Sequence, residues 1–240
     1  MSETAKIEAA LYLIPVHLSE VSLERVLPAR NLALVSGIRH FIVENVRSAR
    51  RFLKKCDRSI NIDELTFYEL NRHTDPKQVA GYLAPLEQGL PMGVISEAGC
   101  PAIADPGADV VAVAQRRGLR VVPLVGPSSI VMGLMGSGFN GQSFAFVGYL
   151  PIDAGQRARK LREMERRIVH EDQTQIFIET PYRNNQLLRE LSTTLPAQLR
   201  LCVARDITGG QESIITRPVR DWAKHPIDLN KVPTIFLLYK

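Results

Sequence analysis

Two short loops of glycine, proline and other small residues carry the most chemical information in this sequence. The first is Ser96-Glu97-Ala98-Gly99-Cys100-Pro101-Ala102-Ile103-Ala104-Asp105-Pro106-Gly107, which follows a compact apolar run. The second is Gly126-Pro127-Ser128-Ser129-Ile130, which follows Val121-Val122-Pro123-Leu124-Val125. In each, an apolar strand runs into a turn that delivers a helix. Ligands of parallel α/β sheets bind at such strand ends, and small residues allow the backbone to approach a flat ligand closely. A tight connection without a ligand has the same spacing, and Ser128 or Ser129 could serve only as a helix cap. Neither loop contains GxxxxGK[ST], and no GxGxxG follows a strand, so a triphosphate or dinucleotide cradle loses its support.

Other reactive side chains are sparse. Glu44, Glu97 and Glu179 stand at the ends of expected strands, where a carboxylate could accept a proton; structural or cofactor-binding roles suit each better than catalysis, and no catalytic base is named. Cys56, Cys100 and Cys202 are odd in number and form no CxxC pair, and the five histidines make no ligand-like cluster. A disulfide frame or zinc site is therefore not expected. No apolar run approaches the roughly 20 residues that span a bilayer. Met1 to Glu8 lacks the basic-then-apolar order of a secretory leader, and a cytoplasmic location is expected. The formal net charge of +5 suits a polyanionic partner or simple solubility. Its distribution says more. Arg47, Arg50, Arg51, Lys54, Lys55 and Arg58 lie on or just beyond one short predicted helix, with positions 47, 51, 54, 55 and 58 on one face. A second helix carries Arg157, Arg159, Lys160, Arg162, Arg166 and Arg167, offset by Glu163 and Glu165, with Leu161, Met164 and Ile168 as its inner face. Either stripe could contact phosphates or be a solvated surface. No aromatics interleave to suggest base stacking.

The elements that must position these residues alternate strand and helix, which predicts an α/β fold. Strands are expected at 10–15, 40–44, 92–96 and 119–125, and helices at 22–35 (interrupted at Pro28), 46–55 and 76–88. A further helix is expected after Asp105, with Asp105 as cap and Pro106 in first position, ending at Gly118. Beyond Pro127 the pattern predicts a helix, a strand at 144–147, a helix around 156–169, a strand at 174–179, a helix at 184–194, and extended stretches at 199–205, 212–216 and 232–239. Strands here are not all separated by helices, so this sheet should be mixed. Two domains are expected, 1–120 with a mainly parallel sheet and 121–240 with a mixed one.

At the two loops the sequence resembles a known family. Residues 96–107 are similar to the SDAGTPLISDPG segment of the tetrapyrrole (corrin/porphyrin) methylase superfamily, in its 16S rRNA cytidine ribose 2′-O-methyltransferase branch. Residues 121–131 resemble the branch's PVVPLPGPSA segment. Phe146–Pro151 resembles FxGFLP, Ile176–Arg183 resembles IFYESPHR, and Val203–Thr208 resembles VARELT, all in collinear order. The N-terminal third departs from the pattern. Ile14-Pro15-Val16-His17-Leu18 stands where the branch has TPIGNL, residues 44–49 keep only the glutamate and arginine of EDTRxT, and residues 208–212 lack the lysine and histidine of TKxHE.

The resemblance implies two dissimilar α/β domains with S-adenosylmethionine in a cleft between them, and a homodimer; the residue content already speaks against a metal site and a membrane span. It implies cofactor binding by Glu97, Ala98, Gly99, Cys100 and Ile103, by Ser128, Ser129 and Ile130, by Ile178 and Glu179, and by Pro233 and Thr234. Cys100 replaces a usual threonine and reads as packing rather than as a nucleophile. The implied activity is methyl transfer to a ribose hydroxyl of ribosomal RNA. The alternatives are methylation of a small tetrapyrrole-like molecule, or a non-catalytic cofactor- or RNA-binding protein that has lost its acceptor site.

Overall fold

The computed structural model describes residues 7–240, so the leader reading over Met1 to Glu8 lies, save for its last two residues, outside the described residues. The chain forms two compact units, the first ending at Pro127 and the second beginning at Ser128.

The first unit is built on strands β1 (Leu11–Ile14), β2 (His40–Val43), β3 (Thr66–Glu69), β4 (Met92–Ile95) and β5 (Val121–Pro123). They form one sheet in the order β3-β2-β4-β1-β5, every pair parallel. Central β4 is buried along its whole length, as its unbroken apolar run requires of a strand covered on both faces. Edge strand β3 was not expected: Thr-Phe-Tyr-Glu has no apolar run, because an edge strand is only half covered. Because β5 hydrogen-bonds to β1, residues 121–127 belong to the first unit, whereas the expected second domain began at 121.

The helices of this unit differ from expectation in instructive ways. Residues 22–35 split into a 3₁₀ turn (Leu23–Arg25) and α1 (Ala29–Val35), with Pro28 at the N-cap of α1. Helix α2 (Val46–Cys56) is capped by the Asn45 side chain, which accepts from the N–H groups of Arg47 and Ser48. Residues 76–88 form no single helix but α3 (Pro76–Val79), a 3₁₀ turn (Ala80–Leu83) and α4 (Ala84–Glu87). Pro85 has no N–H to continue the ladder, which accounts for the break. Helix α5 (Ala108–Arg116) begins three residues later than Asp105. Gly107, with φ of 130°, is its cap position, and Asp105 and Pro106 remain in the loop, where the Pro106 carbonyl accepts from Ala102 N–H. At the other end Gly118 takes φ of 66°, as a helix stop should.

The second unit comprises α6 (Ser129–Ser137), β6 (Phe144–Tyr149), α7 (Ala154–Glu171), β7 (Thr174–Ile178), α8 (Asn184–Thr194), β8 (Arg200–Arg205), β9 (Ser213–Pro218) and β10 (Thr234–Tyr239). Its sheet runs β6-β7-β10-β8-β9 and is mixed as expected, with β6–β7 parallel and the other pairs antiparallel. One core of leucines, Phe177, Phe236 and Trp222 holds α7 and α8 to it. Among the described residues no helix is long and apolar enough to cross a membrane, and no group of three or more His, Cys, Asp or Glu could hold a metal ion.

Candidate functional site

In the first unit the loops after β1, β4 and β5 lean on one another at the carboxyl end of the sheet. Val16 N–H donates to the Gly99 carbonyl at 2.8 Å, and Gly99 N–H returns a bond to Val16 at 3.1 Å. Gly99 has φ of 68°, and a Cβ there would stand 3.1 Å from Leu18 and 3.5 Å from the Pro127 carbonyl. At Gly126 a Cβ would be 2.2 Å from Pro15, so the β5 loop reaches the β1 loop only through glycine. The Cys100 thiol donates to the Pro127 carbonyl at 3.4 Å. From α1, buried Asn31 donates to the Val125 carbonyl at 2.8 Å.

This bracing holds an unfavourable backbone. Ala102 and Ala104 both take left-handed φ, 67° and 64°, between Gly99 and Gly107. Each such alanine costs on the order of 1–2 kcal/mol, and strain of this kind persists where the surroundings over-determine it and concentrates at ligand sites. The loop exposes Glu97, Ala98 and, at 53%, Ile103, while Gly99 is buried and Cys100 half-buried. Burial pushes the Cys100 thiol above the usual range, which suits packing and excludes a ready thiolate.

Three carboxylates meet beside this loop. Glu97 accepts a hydrogen bond from the Ser48 hydroxyl on α2. Burial raises Glu44, at the end of β2, above the usual carboxylate range, and the charges of Asp105 and Glu97 raise it further. Asp105 is raised chiefly by burial, with the Glu97 charge adding and a hydrogen bond with Ser96 opposing. On the β1 loop His17 stacks on Phe52 at 6.4 Å, and burial followed by the Lys55 charge pushes its pKa below the ordinary value, with Glu20 opposing. Sequence reading selected neither Asp105 for this cluster nor Asn31 and Ser48 as braces, since nothing local marks a partner dozens of residues away.

In the second unit the candidate residues gather at one end of the sheet. Ile178 pairs with Ile235 and Thr234 with Arg205, so the end of β7 adjoins the start of β10 and the end of β8. The exposed Pro233 accepts from Asp206 N–H at 2.9 Å. Glu179 is taken up locally: its Oε1 accepts from Arg183 Nη2 at 2.7 Å and from Thr180 N–H at 2.6 Å. Ser128 caps α6 by accepting from Val131 N–H, and Ser129 and Ile130 form the first turn. Gly133 lies over Ile235 and Gly136 over Ile214, so α6 crosses the sheet from β10 toward the β9 edge. Thr208, which sequence reading did not select, has φ of 70°, is 7% exposed, and has no hydrogen-bond partner for its hydroxyl. A Thr-Gly-Gly run marks a turn, but nothing local predicts a β-branched residue in that conformation.

No protein-family model matches the chain. A Mesorhizobium japonicum protein named ribosomal RNA small subunit methyltransferase I is 30% identical over 223 residues, 91% of this chain and 70% of that one. The protein of that name from Vibrio cholerae is 29% identical over 211 residues, 88% of this chain and 69% of it. Others of the same name are matched over 52% and 55% of their length, so the chain spans roughly half to seven tenths of these relatives. Among solved structures, the uroporphyrin-III C-methyltransferase from Thermus thermophilus complexed with S-adenosylhomocysteine is similar at a TM-score of 0.55 and 15% identity, over 96% of this chain and 97% of that one. That likeness establishes the fold, which is the one the sequence resemblance implied. The match to the Mesorhizobium protein, over nine tenths of this chain, goes further: the chain belongs to the ribosomal RNA small subunit methyltransferase I family.

Proposed function

We propose that the protein is an S-adenosylmethionine-dependent methyltransferase acting on a ribose hydroxyl of small-subunit ribosomal RNA. The observation that carries the reading is the braced and strained loop 97–107 at the end of β4 in a chain of this family. Its surface fits the cofactor: the carboxylate of Glu97 complements a cationic group, and Ala98, Cys100 and Ile103 offer small or apolar contact. In this reading Glu97, Ala98, Gly99, Cys100 and Ile103 hold S-adenosylmethionine, with Ser128, Ser129, Ile130, Ile178, Glu179, Pro233 and Thr234 contributing from the second unit. The protein acts as a cytoplasmic homodimer, where its substrate is made.

S-adenosylmethionine supplies an activated methyl group. The chain's own part is to align the acceptor hydroxyl, which can contribute on the order of 7–11 kcal/mol. A ribose hydroxyl must also lose a proton. Glu179 is engaged by Arg183 and Thr180, whereas Glu44 is held closer to neutrality and is the better place to look for an acceptor of that proton. The basic face of α2 supports an RNA acceptor, since Arg47 and Arg51 are exposed and make no ion pair among the described residues.

The test is transfer of labelled methyl from S-adenosylmethionine to unmodified small subunits or extracted rRNA. Incorporation that makes one phosphodiester resistant to alkali is the expected result. Labelling of a uroporphyrinogen-type acceptor instead, or no transfer to any acceptor despite cofactor binding, would remove the RNA reading. Sedimentation at micromolar concentration checks the dimer.

A further inference from the structure

The cations of α7 are sorted by the fold into two sets. Arg157 is turned inward and makes a two-pronged pair with Glu190, Nε to Oε1 and Nη2 to Oε2 both at 2.8 Å. Lys160 and Arg167 share Glu163, and Arg167 also reaches Glu171. What remains is Arg159, Arg162 and Arg166, spaced i, i+3 and i+7, with His170 one turn further on. All four are exposed, and none forms an ion pair among the described residues. Leu161, Met164 and Ile168, the buried side of the same helix, lie opposite. The arginine row thus points straight away from the core of the second unit.

Among the described residues no ion pair or side-chain hydrogen bond ties this row to the rest of the unit. Like charges one turn apart destabilise a helix slightly, and the three arginines line a hollow together with Glu165, Val169 and His170. Three guanidinium groups over about 10 Å of helix, at roughly 1.5 Å per residue, present paired donors that match phosphate oxygens. No Phe, Tyr or Trp lines the hollow, and its three guanidinium groups suit the oxygens of backbone phosphates.

We infer that the outer face of α7, through Arg159, Arg162 and Arg166, docks the phosphate backbone of the RNA substrate without reading its sequence. The inference rests on the reading that the acceptor is RNA.

The test is filter binding of a small-subunit rRNA fragment to the full chain over a salt series, comparing the wild type with the triple variant Arg159→Gln, Arg162→Gln, Arg166→Gln. Three lost phosphate contacts should make the slope of log K against log salt shallower by roughly 2–3. An unrelated RNA of equal length should show the same change, and the melting temperature should not move. If the triple variant misfolds, Arg162→Glu alone should lower the slope by about 1 or more. An unchanged slope overturns the inference, and so does a wild-type dimer that the variant dissociates with no change in RNA binding. Methyl transfer to rRNA by the wild type, measured separately, keeps the two claims apart. Transfer with an unchanged slope removes only the docking surface; RNA binding lost in the variant, with no transfer by the wild type, removes only the proposed reaction.

Discussion

Val16 and Gly99 exchange a reciprocal pair of backbone hydrogen bonds, tying the loop after β1 to the loop after β4 as a one-residue antiparallel bridge. Around it the loops after β1, β4 and β5 fit together through Gly99 and Gly126, so the shape of the candidate cofactor surface depends on close backbone approach at these two glycines.

Gly99→Ala tests that dependence directly. The left-handed φ and the crowding by Leu18 should together cost about 1–2 kcal/mol or more. Calorimetry should show weaker binding of S-adenosylhomocysteine, and thermal melting a lower transition. Wild-type values for both would mean that the loop does not need its bridge.

Asp105→Asn should have an effect that depends on pH. The folded Asp105 has its pKa raised above the ordinary 3.8, mainly by burial. Between the unfolded and folded values the folded chain therefore binds more protons, and the stability contributed by the neutral carboxyl is full below the unfolded pKa and lost as pH rises through the folded one. Removing the charge should raise the melting temperature at pH 7 by ~2–4 °C and change it little near pH 3.5. A drop at pH 7 would show that the hydrogen bond with Ser96 outweighs the cost of burying the charge.

The three thiols should be sluggish. Burial pushes Cys56 up to about 12 and Cys202 up to about 11, and raises Cys100 as well. Alkylation followed by mass at pH 7.5 should be slow, with half-exposed Cys100 first. Cys100→Thr should leave methyl transfer within about twofold. Rapid modification of Cys100, or a loss of 100-fold on substitution, would give the thiol a role in the chemistry.

Arg157→Ala and Arg162→Ala should differ in stability although both remove an arginine from one helix. Arg157, 14% exposed, also holds the carbonyls of Pro151 and Ile152, and its loss strands Glu190. That should cost about 2–3 kcal/mol, against less than about 0.5 kcal/mol for the exposed Arg162. Urea titration of each variant measures the contrast.

What the sequence determined by itself is whatever depends on near neighbours. Apolar runs marked β1, β2 and β4 because a buried strand needs an unbroken hydrophobic segment. Gly118 after α5 marked a helix end through bonds formed within a few residues. Lack of helices between its later strands foretold the mixed second sheet.

Tertiary structure decided what depends on distant partners. It enrolled β5 in the first unit through pairing with β1, and moved the start of α5 from Pro106 to Ala108 by closing the loop on Ala102. It also divided the arginines of α7 into paired and unpaired, because Glu190 lies 33 residues from Arg157 and only folding brings a countercharge to that one. Backbone conformation and ion pairing at these places are set by which residues the core brings into contact, and no local pattern encodes that.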